Sequence, residues 1–261
     1  MKSFFTEVKT ESVGFGIYLT PETGYLASVE ISGSRPLRSG ESRPVFNISR
    51  KLLEEYLRNY WIRDYDIPYY LSLALHHELV HVLDKFKEER FGLREGWSRG
   101  KSVLLHLLRF RSEGIAELPM TLVSETEIRD IASAREMFEN ELYRVFEISW
   151  KYPKINMTLS KELPETGSFY DIGPWMVLHV LGCPGNPGRY DNIGKVLENL
   201  EQGLKPDEAT FFSLLSKALE ISTFSFLKYI TEPGPDGHPF ISEKELSVIV
   251  KMTGQIGLKK P

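Results

Sequence analysis

The sequence predicts an α+β fold that is mainly α, with a small N-terminal β element followed by a helical body that contains one buried helix. Three observations predict it. Strand-like runs joined by a Pro/Gly turn occur only between Val13 and Ile31. From Ser49 onward apolar residues recur at helical spacing. One of those helical stretches, after Pro68, is apolar on most sides, which places it in an interior rather than on a surface.

The β element is the segment GFGIYL, TPETG, YLASVEIS, which reads as two short strands in a hairpin. SGSRPLRSGESRP follows as a surface loop. Leu52, Leu53, Tyr56, Leu57 and Tyr60 mark a helix over Ser49 to Tyr60, and a second helix runs from Tyr69 to about Lys87. FGLREGWSRGK is a loop, and helical periodicity resumes from Ser102 to about Met120 through Leu104, Leu105, Leu108 and Ile115. A longer helix is expected over Ser124 to Trp150, because SETE has the capping-box spacing. After a polar stretch, a helix begins near Tyr170 or Pro174 and ends at GCPGNPG. Two or three amphipathic helices, separated by EPGPDGHPF, complete the chain. Residues 1–150 and a helical C-terminal part, 151–261, are expected to form one continuous domain.

Composition narrows the function classes. With 261 residues, 41% hydrophobic and 26% charged, the chain can bury an ordinary core without cross-links. A net charge of -4 lacks the positive field that phosphate binding exploits, so nucleic acid is not an expected partner. The single cysteine, Cys183, precludes an internal disulfide, reads as a small apolar residue and fits a reducing compartment. MKSFFTEVKTES has no signal-like apolar run, and no window approaches the roughly 20 apolar residues of a membrane helix. A cytoplasmic protein with no membrane association is expected.

Chemistry concentrates at His77-Glu78-Leu79-Val80-His81, an HExxH pattern on the helix expected after Pro68. Random ordering of this composition, with six histidines, would produce that pattern with a probability of only about 1.5%, so the spacing is read as functional. Residues four apart stack on one helix face, so both imidazoles can reach one ion. Glu78 points about 100° away around the helix, where it can hold an attacking water rather than bind the metal. A catalytic zinc takes a third protein ligand and leaves one position open. Glu113, on the following helix, is the best candidate; His106, seven residues earlier on the same face, is its rival.

At this point the chain resembles the gluzincin metallopeptidases, the group of thermolysin-like and alanyl-aminopeptidase-like enzymes. Glu113-Gly114-Ile115-Ala116 matches the Glu-Gly-x-Ala motif of the aminopeptidase branch, with small residues expected to let the two helices approach closely. The resemblance implies a zincin-like fold, one zinc per chain on His77, His81 and Glu113, and Glu78 as general base in peptide hydrolysis. It also implies that Glu117 orients a zinc-bound histidine and that Tyr170, opening Tyr170-Asp171-Ile172-Gly173, stabilises the oxyanion. His179 is an alternative donor, with core packing as its ordinary fate. The substrate class is then a peptide or protein. Two departures limit the likeness: 31 residues separate His81 from Glu113, more than in the aminopeptidase pattern, and no Gly-x-Met-Glu-Asn motif is present. Exopeptidase activity is therefore not carried over. A catalytically silent zincin-like zinc-binding or interaction module is the alternative, and a helical scaffold with an accidental HExxH is a third reading.

Overall fold

The computed structural model describes residues 16–20, 27–30, 45–49, 54, 67–84, 99–123, 128, 130–151 and 168–252. By its contacts the chain divides into two compact units, Met1–Val82 and Leu83–Pro261.

In the first unit, three short strands form a sheet: β1 (Gly16–Thr20), β2 (Ala27–Glu30) and β3 (Val45–Ser49). The expected hairpin is corrected here. The strand order is β1-β3-β2, so β1 and β2 do not pair with each other. Ile17 lies opposite Phe46 in the parallel β1–β3 ladder, and Val29 lies opposite the same Phe46 in the antiparallel β2–β3 ladder. β3, VFNIS, is rich in the β-branched and aromatic residues that favour a central strand. A parallel neighbour needs a connection longer than a hairpin turn, and the 24 residues between Thr20 and Val45 supply it.

The α+β class itself is overturned. From Glu54 onward every described element is a helix, and the described core, from Val80 to Ile249, comes only from helices and the short links between them. From Glu54 onward the described structure is therefore all-helical, and the α+β expectation is not kept. With that the expected zincin-like α+β architecture falls as well.

Helix α1 (Ile67–Leu83) has Pro68 in its first turn, where the missing N–H costs nothing and the fixed φ favours the helix. Its expected burial is only partly realised. Val80 and His81 are buried, whereas residues 74–79 are half-buried. The described helix ends at Leu83, and of the expected helix at Ser49 to Tyr60, Ser49 closes β3 and only Glu54 is otherwise described, as helical.

The second unit is built on two helices, α2 (Arg99–Val123) and α4 (Ser168–Gly182), which make its most extensive contact. α2 buries Val103, Leu104, Leu107, Phe110, Ile115, Leu118 and Leu122, the three-and-four spacing of one helix face. α4 is buried all round from Ile172 to Leu181, as a stretch that is apolar except for His179 requires. At their crossing the backbones touch. A Cβ placed on Gly114 would lie 2.4 Å from the carbonyl carbon and oxygen of Gly173, so only glycine fits. Gly114 therefore serves the contact of α2 with α4, a different partner from the HExxH helix that the sequence suggested.

α3 (Ile131–Lys151) packs on both. The expected capping box at Ser124 lies outside the described residues, but α3 starts later than Ser124: Ile128 is not helical, and the Asp130 carboxylate accepts from the Ser133 N–H at 2.6 Å. A carboxylate at the helix start satisfies an otherwise orphaned donor and complements the dipole, which fixes the boundary there. α5 (Ile193–Glu201), α6 (Glu208–Leu219), α7 (Thr223–Tyr229) and α8 (Glu243–Met252) follow. A capping box does occur, at α8. The Ser242 hydroxyl accepts from the Glu245 N–H at 3.2 Å while Glu245 accepts from the Ser242 N–H at 3.0 Å. Among the described residues no helix is long and apolar enough to cross a membrane.

Candidate metal centre

His77 and His81 stand one turn apart on α1, with their Nε2 atoms 3.1 Å apart and their rings nearly perpendicular at 82°. Two imidazole nitrogens this close either share one proton or aim their lone pairs at one cation. Zinc–nitrogen bonds of 2.0 to 2.1 Å at a tetrahedral angle would set the nitrogens about 3.3 Å apart, so the pair is already near chelating geometry. The neighbouring His76 is turned elsewhere, its Nδ1 lying 2.6 Å from the Ser72 carbonyl.

Glu113, on α2, completes the group. One carboxylate oxygen and one nitrogen from each of His77 and His81 all lie within 4.8 Å of one another. Two imidazoles and one carboxylate are the donor set of an open catalytic zinc site, so these residues fit such an ion chemically and in spacing. Among the described residues this is the one group of three or more metal-ligating side chains brought together in this way.

The other expected residues fall into two sets. Glu78 is half-buried on α1 beside His77 and is not a member of the ligand group. Glu117 is half-buried on α2 one turn after Glu113, and Tyr170 is 37% exposed in the first turn of α4. The Gly114–Gly173 contact draws these segments together, because Glu113 adjoins Gly114 and Tyr170 precedes Gly173 by one turn. The Glu-Gly-x-Ala and Tyr-x-x-Gly segments thus meet at their glycines.

His106 and His179 are engaged elsewhere. His106 is buried with its Nε2 3.2 Å from Glu141 Oε1, packed against the rings of Phe110 and Phe169. Burial lowers its pKa, partly offset by Glu141. His179 is fully buried, its Nε2 facing the carbonyls of Tyr229 at 3.1 Å and Glu232 at 3.0 Å. Two acceptors at Nε2 call for a proton there, leaving Nδ1 bare against Gly234. Burial pushes the His179 pKa down to about 4. Cys183 sits one turn further on with its thiol pushed up to about 12 by burial, which makes it an inert packing residue.

One pair was not singled out from the sequence. Arg111, two residues before Glu113, is buried and grips Asp84, the residue that follows α1. Its Nη1 donates to Asp84 Oδ2 at 2.7 Å and its Nη2 to Oδ1 at 2.8 Å, while Nε and Nη2 reach the Ile221 carbonyl at 2.9 and 2.6 Å. The available signal was a charged residue of each sign on otherwise apolar helix faces near the motif.

No protein-family model, curated protein or solved structure matches the chain.

Proposed function

We propose that the chain is a zinc-dependent peptide hydrolase with the His/His/Glu ligand set that the gluzincin resemblance implies, holding one ion per chain on His77, His81 and Glu113. The observation that carries the reading is the convergence of those three ligand atoms within 4.8 Å of one another, two of them from an HExxH pattern on a helix. When bound, zinc polarises a carbonyl oxygen and lowers the pKa of a coordinated water to about 7.

The chain's own residues do the rest. Glu78, beside His77 but outside the ligand group, takes a proton from the attacking water and returns it to the leaving nitrogen. Tyr170, partly exposed at the start of α4, donates its phenol proton in a hydrogen bond to the oxygen on which charge develops. Glu117 holds an imidazole in one tautomer by accepting from its ring N–H. The substrate is a peptide or protein and the setting the cytoplasm.

Replacement of Glu78 by Gln tests this. The variant should keep its zinc and lose peptide hydrolysis by about 10² to 10⁴-fold, the usual contribution of a positioned base. Equal activity in parent and variant rejects the assignment of Glu78. Zinc retained in both with hydrolysis in neither identifies a silent zinc-binding module instead.

A further inference from the structure

The Arg111–Asp84 fork ties the residue that follows α1 to α2 by two directional bonds. Both residues belong to the second unit. Asp84 comes three residues after His81, and Arg111 two residues before Glu113. Arg111 is 2% exposed, and both of its terminal nitrogens meet Asp84 within 2.8 Å. A buried ion pair of this kind seldom adds stability over a well-packed apolar pair of the same volume. What it adds is direction. A planar guanidinium donates both bonds to a carboxylate in one orientation, whereas two apolar side chains can slide. The additional bonds to the Ile221 carbonyl fix the guanidinium itself, so the orientation is set by three anchored groups.

We propose that Arg111 and Asp84 are positioning residues for the metal ligands, holding the chain just after His81 in fixed register with the turn of α2 that bears Glu113. The proposal rests on the metal-centre reading. A chelate site works only when its ligands are held to about 0.5 Å by their supporting residues, and loss of such support costs about 10 to 100-fold in metal affinity.

The test is zinc affinity of the folded chain, measured by competition with a chromophoric chelator, for the parent and four variants. Arg111→Met with Asp84→Leu removes both charges together at similar volume, so no charge is stranded; it should keep a cooperative melt and bind zinc about 10 to 100-fold more weakly. Arg111→Lys keeps the charge but not the fork and should also lose affinity. Val196→Ala, a core change on α5 remote in sequence from Asp84, Arg111 and Ile221, should bind as the parent does, which separates positioning from general destabilisation. Glu113→Gln marks the affinity without the carboxylate ligand. Parent-like affinity in the folded double variant, or in Arg111→Lys if the double variant does not fold, overturns this proposal and leaves the metal centre standing. A folded parent that binds no zinc overturns both.

Discussion

Substituting Gly114 by Ala tests the contact on which the Glu113 turn is built. A helical Gly→Ala change ordinarily stabilises by about 1 kcal/mol through lower backbone entropy in the unfolded chain. At Gly114 the added Cβ would sit 2.4 Å from the carbonyl carbon and oxygen of Gly173. Carbon contacts are comfortable near 3.5 Å, so α2 and α4 would have to part by about 1 Å. Neither neighbouring atom belongs to a side chain that can rotate away. Overpacking of a core costs about 1 to 3 kcal/mol, and rigid backbone on both sides argues for the upper end. Subtracting the helix-propensity gain leaves a net loss of about 2 kcal/mol, or about 4–8 °C in melting temperature for a domain of this size. Gly194 on α5 is the internal control, since nothing lies within 4 Å of its added Cβ. Gly194→Ala should leave stability unchanged or raise it by up to about 1 kcal/mol. Thermal unfolding followed by circular dichroism reads both. A Gly114→Ala protein as stable as the parent, or stabilised like Gly194→Ala, refutes the close crossing.

Two further outcomes follow from the buried groups. His179 has a folded pKa of about 4, below its unfolded value near 6.5, because burial outweighs the help of the Tyr229 and Glu232 carbonyls and of Asp236, with Arg135 also opposing its charge. The unfolded chain therefore binds the extra proton first, and the stability associated with neutral His179 is present above pH 6.5 and lost as pH falls toward 4, by about 3 kcal/mol in all. A His179→Asn variant should show a shallower decline over that window in urea titrations, and an unchanged slope would contradict the assignment. For the metal centre, zinc at 100 times its dissociation constant should stabilise the chain by about 2.7 kcal/mol, or about 5–10 °C, and a chelator should reverse it. Glu113→Ala should abolish most of that shift; a full shift in the variant would place the third ligand elsewhere.

How far these features were legible in the sequence depends on the range of the interaction. His77 and His81 are local: four residues on one helix face fix their spacing, and the ring nitrogens do lie 3.1 Å apart. The helical body was legible for the same reason, since the spacing of Val103, Leu107, Phe110 and Leu118 alone specifies a buried face. The hairpin was not, because pairing of β1 with β3 across 24 residues leaves no local mark. Gly114 was recognised as a contact glycine but assigned the wrong neighbour, since sequence shows that a close approach is needed without showing which helix makes it. Helix starts show the same limit: the spacing at Ser124 did not reveal that α3 begins at Ile131 with Asp130 accepting from the Ser133 N–H, while at α8 Ser242 and Glu245 bond reciprocally. His106 shared the face of Glu113 in sequence, and only the fold shows Glu141 of α3 beside it.

The most direct test of the central claim is the zinc-edge X-ray absorption spectrum of the chain loaded with one equivalent of zinc. Two imidazole nitrogens near 2.0 Å, carboxylate oxygen and no sulfur are the predicted shell, for His77, His81 and Glu113. A folded chain that leaves the zinc in solution, or a shell with a single imidazole or with sulfur from Cys183, would contradict it.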